Sequence, residues 1–282
     1  MMKIRFLGTA AAEGWPGVFC NCEKCKNAAR LGGKDIRTRS QIIVNDDLLV
    51  DLPPDTYYHK LQFGIDLSAV RTLLVTHSHM DHFFPMELAM HGNGFGHNLT
   101  SPNLEIFCNE HVKESFDRQS EFEPFDKGIL NSLSFNITEP FKHFFTAGGY
   151  EIFTLKAQHA FGEKAVFYLI IKDGKSFMQC NDTGWIYEEN FDFLKSLNIK
   201  IDLISLDCTC GTREIGKVGT HMGAPDCVKM MDIMRNSNFT HKGTKFILTH
   251  FSHNNGMTHA ELTEYFKPYD AIPAYDGMTV EI

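Results

Sequence analysis

The stretch LLVTHSHMDHF places His77, His79, Asp81 and His82 within six positions. Imidazoles and a carboxylate packed this closely are costly to bury without a partner, and a cation is the partner that suits all of them. Alternate residues of an extended segment face the same way, so His77 and His79 can converge on one point. A turn after them can carry Asp81 and His82 to a second. Four ligand-type residues exceed what one tetrahedral ion takes when it also needs distant ligands and an open water position, so two metals are the economical reading. Further ligands must come from elsewhere. His159 ends the strand-like EIFTLKAQH, Asp182 follows SFMQCN, and His250 ends KFILTH. Each stands just past an expected strand, where sheet ends converge into a crevice.

A second cluster, Cys20, Cys22 and Cys25, lies in FCNCEKC. A redox reading rests on Cys22 and Cys25, yet a thioredoxin-like pair belongs at a helix start after a strand, and Cys20 has no role in it. Three closely spaced thiolates in a turn-like segment suit a structural zinc that lacks one ligand. The candidate for that ligand is His253, three residues after His250, because on a turn the two rings can point to different places. Among the other histidines, His59, His97, His111, His143, His241 and His259 read as ordinary satisfied polar groups. Cys108, Cys180, Cys208, Cys210 and Cys227 read as small buried side chains.

The elements that must position these residues are short β-branched and aromatic runs: KIRFLG, SQIIVN, DLLVD, RTLLVTH, LEIFC, YEIFTLKA, KAVFYLIIKDG, SFMQC, IDLISLD and KFILTH. Helices are expected at FFPMELAM, EENFDFLKSL, APDCVKMMDIMRN and THAELTEYF, the last with Thr258 as N-cap and Glu261 completing a capping box. Strands with helices interspersed argue for an α/β layered protein. Turns such as NDD and KDG imply partly antiparallel pairing, which excludes a simple Rossmann order. Residues 83–150 are the least legible: HGNGFGHNLTSPN reads as a long loop, and the Phe-rich segment 121–145 as an excursion packed against the body.

The chain has 282 residues, 43% of them hydrophobic, enough for one sizeable core, so a single domain over 1–282 is expected. A formal charge of −8 and no dense Lys/Arg run argue against nucleic acid as a partner. The opening MMKIRFLGTA shows neither a signal peptide nor a membrane span, so a cytoplasmic protein is expected.

HSHMDH, with His159, Asp182 in NDTGW and His250 in LTH, resembles the metallo-β-lactamase-fold hydrolases over nearly the whole chain. The resemblance implies an α/β four-layer αβ/βα sandwich with metals at the strand ends. It further implies that His77, His79 and His159 hold one ion, that Asp81, His82 and His250 hold the other, and that Asp182 bridges them. Within that fold, Cys20, Cys22, Cys25, His253 and the opening FLGTAAAEGWPGVFCNCEKC resemble the bacterial PhnP family, phosphodiesterases of phosphonate degradation that cleave a ribosyl cyclic phosphate. In that branch the three cysteines and the second histidine of LTHxSH hold a structural zinc. The PhnP resemblance also implies that His221, in VGTHMG, contacts phosphate and assists catalysis. The CTCGTREIGKVGTHMG region and the Phe-rich excursion depart from the branch pattern, which leaves the pocket and the substrate open.

Two ions roughly 3.5 to 4 Å apart lower the pKa of a shared water, hold the resulting hydroxide for attack, and neutralise charge developing at phosphorus. The expected cofactors are two catalytic Zn or Mn ions and one structural Zn. Asp81 can also pass a proton. A small cyclic phosphodiester is the expected substrate. An RNA 3'-processing nuclease, a lactone or thioester hydrolase, and a metal-binding accessory protein without activity are the alternatives, since the ligands alone do not distinguish phosphorus from carbon. A closed homodimer is a common assembly for such enzymes, though this sequence does not specify one.

Overall fold

Apolar residues that alternate along a strand are buried on both faces only if something covers each face. In β9 (Val166–Lys172), Val166, Tyr168 and Ile170 join one core cluster while Phe167 and Leu169 join another. The whole chain is built on this pattern. The computed structural model describes residues 1–92, 94–254 and 256–282, so Asn93 of the glycine-rich loop and Asn255 lie outside the described residues.

The first six strands, β1 (Lys3–Gly8), β2 (Gln41–Val44), β3 (Leu48–Val50), β4 (Thr72–Leu74), β5 (Leu104–Cys108) and β6 (Leu133–Ile137), form one sheet. The next seven form the other: β7 (His143–Phe145), β8 (Glu151–Lys156), β9, β10 (Lys175–Cys180), β11 (Ile201–Asp207), β12 (Thr240–Thr249) and β13 (Ala271–Pro273). A last strand, β14 (Met278–Glu281), returns to pair antiparallel with β1. The orders are β14-β1-β2-β3-β4-β5-β6 and β13-β12-β11-β10-β9-β8-β7. Both sheets are mixed. β2 and β3 pair antiparallel through the Asn45-Asp46 turn and β9 and β10 through Asp173-Gly174, as the NDD and KDG turns imply. β3 to β6 are parallel, as are β10 to β13.

The helices are α1 (Glu23–Leu31), α2 (Thr56–Phe63), α3 (Glu110–Phe122), α4 (Lys127–Ser132), α5 (Glu188–Leu197), α6 (Ala224–Asn236) and α7 (His259–Phe266). Phe6, Ile42, Val44 and Leu74 of the first sheet meet Tyr168, Ile170, Phe177 and Leu203 of the second in a central core, with Phe6 edge-on to Phe177. On the outer face of the first sheet, Ile43, Leu49, Leu73 and Ile106 pack with Val112 and Phe116 of α3 and Ile129 of α4. On the outer face of the second, Phe167, Leu169, Ile204 and Leu206 pack with Met230, Met231 and Met234 of α6 and Phe266 of α7. Helix, sheet, sheet and helix are thus the four layers expected.

The segment FFPMELAM is not an α-helix. Pro85 opens a 3-10 helix over Pro85–Met90 instead, in which Leu88 and Ala89 are buried. The three cysteines do not lie in a plain turn: Cys22 caps α1, and Cys25 sits in its first helical turn. Residues 83–150 hold α3, α4, β6 and β7 besides β5. Within the Phe-rich excursion Phe125 is buried as expected, whereas Phe122 and Phe145 are exposed. Cys108, Cys180, Cys208 and Cys227 are buried, and Cys210 is only partly so. Thr258 and Glu261 form the expected capping box of α7. Among the described residues no helix is long and apolar enough to cross a membrane.

Candidate metal centre

Parallel strands deliver their following loops to one edge, and that edge carries the chemistry. Asp51 follows β3, His77 to His82 follow β4, Asp182 follows β10, Asp207 ends β11 and His250 follows β12, while His159 reaches the same edge after the antiparallel β8. β4 stops at Leu74, so His77 and His79 converge from a loop rather than from a strand. That loop turns back through His82 N–H donating to the His79 carbonyl at 2.9 Å. Asp51, Asp182 and His250 have positive φ of 65°, 52° and 60°, a left-handed backbone that non-glycine residues adopt at a cost. Each holds its side chain over the crevice.

The two sets implied by resemblance come together. Ligand-type atoms of His77, His79, His159 and Asp182 lie within 4.8 Å of one another, and so do those of Asp81, His82, Asp182 and His250. Asp182 belongs to both: its Oδ2 is 3.1 Å from His77 Nε2, 3.0 Å from His82 Nε2 and 3.2 Å from His159 Nε2.

The hydrogen-bond partners on the far side of each ring decide what faces inward. His82 Nδ1 is 2.7 Å from Asp51 Oδ2. His77 Nδ1 is 3.0 Å from Thr76 Oγ1, whose own proton goes to Asp51 Oδ1. His159 Nδ1 faces the Thr220 carbonyl at 3.3 Å, and His250 Nδ1 faces Thr209 Oγ1 at 2.8 Å. In all four rings Nδ1 has its partner outside the cluster, so Nε2 is the nitrogen that faces inward. His82 Nε2 and His250 Nε2 stand 3.3 Å apart, beside the carboxylates of Asp81 and Asp182. His77 Nε2 and Asp182 Oδ1 are buried and make no hydrogen bond to the protein despite close neighbours. Ring nitrogens and carboxylates converging this densely fit divalent cations, and they are the donor set Zn and Mn accept.

Asp51 and Asp207 were not singled out by their sequence setting, in which each simply ends an apolar strand. Asp207 Oδ2 lies 3.0 Å from His221 Nδ1 and 3.4 Å from His250 Nδ1, and its Oδ1 accepts from the Thr209 and Met222 amides. His221 also approaches Asp182 Oδ1 at 3.1 Å. Burial disfavours the charged His221 ring, but Asp207 outweighs it and raises the pKa to about 9. Gly184 of NDTGW and Gly219 bring the Asp182 and His221 loops into contact, since a Cβ at Gly184 would stand 1.8 Å from the Gly219 carbonyl oxygen.

The third cluster lies apart from this crevice. Cys20 Sγ and Cys22 Sγ are 3.8 and 3.6 Å from His253 Nδ1, and the four ligand-type atoms of Cys20, Cys22, Cys25 and His253 lie within 4.8 Å of one another. Gly17 N–H donates to Cys25 Sγ and Cys25 N–H to Cys22 Sγ, at 3.3 and 3.5 Å. The Cys25 amide, outweighing slight desolvation, is the main cause that brings the Cys22 thiol down to about 6, and His253 adds to it. Glu13 faces His253 Nε2 at 3.6 Å, which leaves Nδ1 toward the sulfurs. The two centres are tied by backbone: Phe251, between His250 and His253, donates to Thr9 and accepts from Ala11. His59, His143, His241 and His259 do have protein partners, namely Gln41 and Thr38, Glu151, Asp202 and Arg37.

Solved structures share this architecture at low identity. A diphosphatase from the PhnP family superposes with a TM-score of 0.77 at 18% identity, covering 100% of this chain and 98% of that one. Zn(2+)-bound PqqB from Methylobacterium extorquens gives 0.71 at 16%, covering 99% and 100%. The short form of human tRNase Z gives 0.67 at 14%, covering 99% of each. No curated protein matches the sequence. The description of a beta-lactamase superfamily domain matches residues 48–251, a span that takes in His77 to His82, His159, Asp182, His221 and His250 but stops short of the cysteine cluster. With seven-tenths of its length inside that match, the chain belongs to the beta-lactamase superfamily.

Proposed function

We propose that this protein is a metal-dependent phosphodiesterase acting on a small, cyclic or nucleotide-like diester, and that residues 1–282 act as one domain. The observation that carries the reading is Asp182, whose single carboxylate oxygen stands within 3.2 Å of three ring nitrogens drawn from both ligand sets. His77, His79 and His159 would hold one ion, Asp81, His82 and His250 the other, with Asp182 shared between them. Bound there, such ions supply Lewis acidity and lower the pKa of water into the neutral range.

The chain's own residues do the rest. Asp51, Thr76, Thr209 and the Thr220 carbonyl fix the ring tautomers, so the site is preorganised. His221, 24% exposed at the mouth and charged through Asp207, gives its proton to the departing alkoxide. The cluster of Cys20, Cys22, Cys25 and His253 fits a structural zinc, and its backbone link to Phe251 braces the loop of His250. That cluster, with the likeness to a PhnP-family diphosphatase, supports a phosphoryl substrate over a carbonyl one. A panel of bis(p-nitrophenyl) phosphate, ribose cyclic phosphates, a lactone and a short RNA, assayed with Zn- and Mn-loaded protein, tests the reading. Hydrolysis of the diesters is expected, and turnover of the lactone alone would overturn it.

A further inference from the structure

A second cavity opens on the same edge. Because β4 and β5 are parallel, α3 begins beside the loop that carries His77 and His79. The two are joined through Glu163, which accepts from Ser78 Oγ at 2.9 Å and from Asn109 Nδ2 at 2.9 Å, while Asn109 Oδ1 caps α3. Between them lies a cleft of about 440 Å3, lined by Ser78 and by His111, Glu114, Ser115, Arg118, Gln119 and Phe122 of α3. That is the size of a small-molecule site.

The α3 residues His111, Ser115, Arg118 and Phe122 stand at helical spacing and form one stripe. The neighbouring stripe, Val112 and Phe116, packs on the outer face of the first sheet, so helix packing does not dictate what faces the cleft. Its chemistry is specific. Two hydroxyls, an amide, an imidazole, a guanidinium and the Glu114 carboxylate line the wall, and the ring at its end, Phe122, is 87% exposed. Arg118 meets Glu114 at only 3.7 Å with both side chains in solvent, an ion pair that leaves the guanidinium available. A guanidinium for an anionic oxygen, a carboxylate that accepts from sugar hydroxyls, and a solvent-facing aromatic ring suit a sugar phosphate joined to a flat heteroaromatic base.

We propose that this cleft binds the nucleoside end of the substrate, with Arg118 holding an anionic or sugar oxygen and Phe122 stacking on the base. The proposal rests on the phosphodiesterase reading and narrows it to nucleotide diesters. Two assays separate the claims. The p-nitrophenyl ester of thymidine 5'-monophosphate and methyl p-nitrophenyl phosphate share a leaving group but differ in the base. Arg118→Ala and Phe122→Ala are expected to lower kcat/KM on the nucleoside ester about tenfold, through KM, and to leave the methyl ester unchanged, with Phe122→Trp restoring the wild-type value. Calorimetric titration of the metal-loaded protein with AMP and with inorganic phosphate reads the cleft without turnover. AMP is expected to bind about tenfold tighter than phosphate in the wild type, and this advantage is lost in both variants. If neither ester is cleaved but the AMP advantage follows Phe122, the phosphodiesterase reading fails and the cleft stands. Equal loss on both esters, or an AMP advantage that neither substitution alters, would overturn the cleft.

Discussion

Asp51 Oδ2 lies 2.7 Å from His82 Nδ1, and its other oxygen accepts from the Thr76 amide and hydroxyl, so one buried carboxylate fixes both the His82 tautomer and the start of the metal loop. It touches no candidate ion ligand except through that ring, and it gives His82 the inward lone pair that a cation needs.

Asp51→Asn is therefore expected to act on one ion and spare the other. An amide nitrogen facing His82 Nδ1 would donate to it, move the ring proton to Nε2 and aim an N–H into the cluster. Affinity for the ion of the Asp81, His82 and His250 set should fall about 10–100-fold, with hydrolysis following it, while the ion of the His77, His79 and His159 set is retained. Metal content after dialysis against graded chelator checks this. Unchanged affinity for two ions would rule out the positioning role.

Removal of a thiolate from the third cluster should separate folding from chemistry. Cys22 caps α1 and faces His253, so Cys22→Ser is expected to lower folded yield and to cost one bound ion. The folded fraction should keep its rate per molecule. Wild-type yield with full metal content and activity would contradict a structural zinc.

Gly184 is where the Asp182 and His221 loops touch, and no side chain fits there. Gly184→Ala must move the loops apart by an ångström or more, which is expected to cost about 100-fold in rate. His221→Ala should cost at least as much if the ring carries a proton. Because Gly184→Ala displaces both the His221 loop and the loop of Asp182, the double variant should be slower than His221→Ala alone but faster than multiplied independent losses would make it. Independent, multiplying losses would show that Gly184 acts elsewhere.

The ligand-type residues were legible because three histidines within six positions have few reasons to share one place. Asp51 and Asp207 were not, since a carboxylate after an apolar strand is also the ordinary polar end of that strand. Only the partner strand's loop, far off in sequence, reveals the ring each one holds. The helices α1 and α3 were hidden for a related reason: α1 buries only Cys25 and Ala28, and α3 only Val112 and Phe116, too narrow a stripe to give a strong period. β6 and β7 escaped notice because their side chains are half-buried or exposed.

Below Asp51 lies a group of side chains that is short of one proton. Gln41 Nε2 donates to the Asp51 carbonyl and to Thr56, so its oxygen must accept from His59 Nδ1, 2.6 Å away. A neutral His59 then turns Nε2, as an acceptor, to the Thr38 hydroxyl at 2.7 Å, and that hydroxyl also faces Asp276 Oδ2 at 2.6 Å. One hydroxyl proton cannot serve both. Burial holds the His59 pKa down to about 4, and burial, outweighing hydrogen bonds from Thr38 and Thr9, raises that of Asp276 to about 6. Asp55 is the charged group that acts on His59 and Arg37 the one that acts on Asp276, with Asp35 beside Arg37. As pH falls through the ordinary histidine value of 6.5 toward 4, the unfolded chain takes a proton that buried His59 refuses, and stability is lost. As pH falls from 6 toward 3.8, folded Asp276 takes a proton that the unfolded chain does not, and stability is regained. The two effects oppose each other in the native protein. Asp276→Asn keeps a neutral donor beside Thr38 and removes the second effect alone. Its stability relative to wild type, from urea unfolding of chelated protein, should therefore drop by about 2 kcal/mol between pH 7 and pH 4. A difference that stays constant over that range would place the shared proton somewhere other than Asp276.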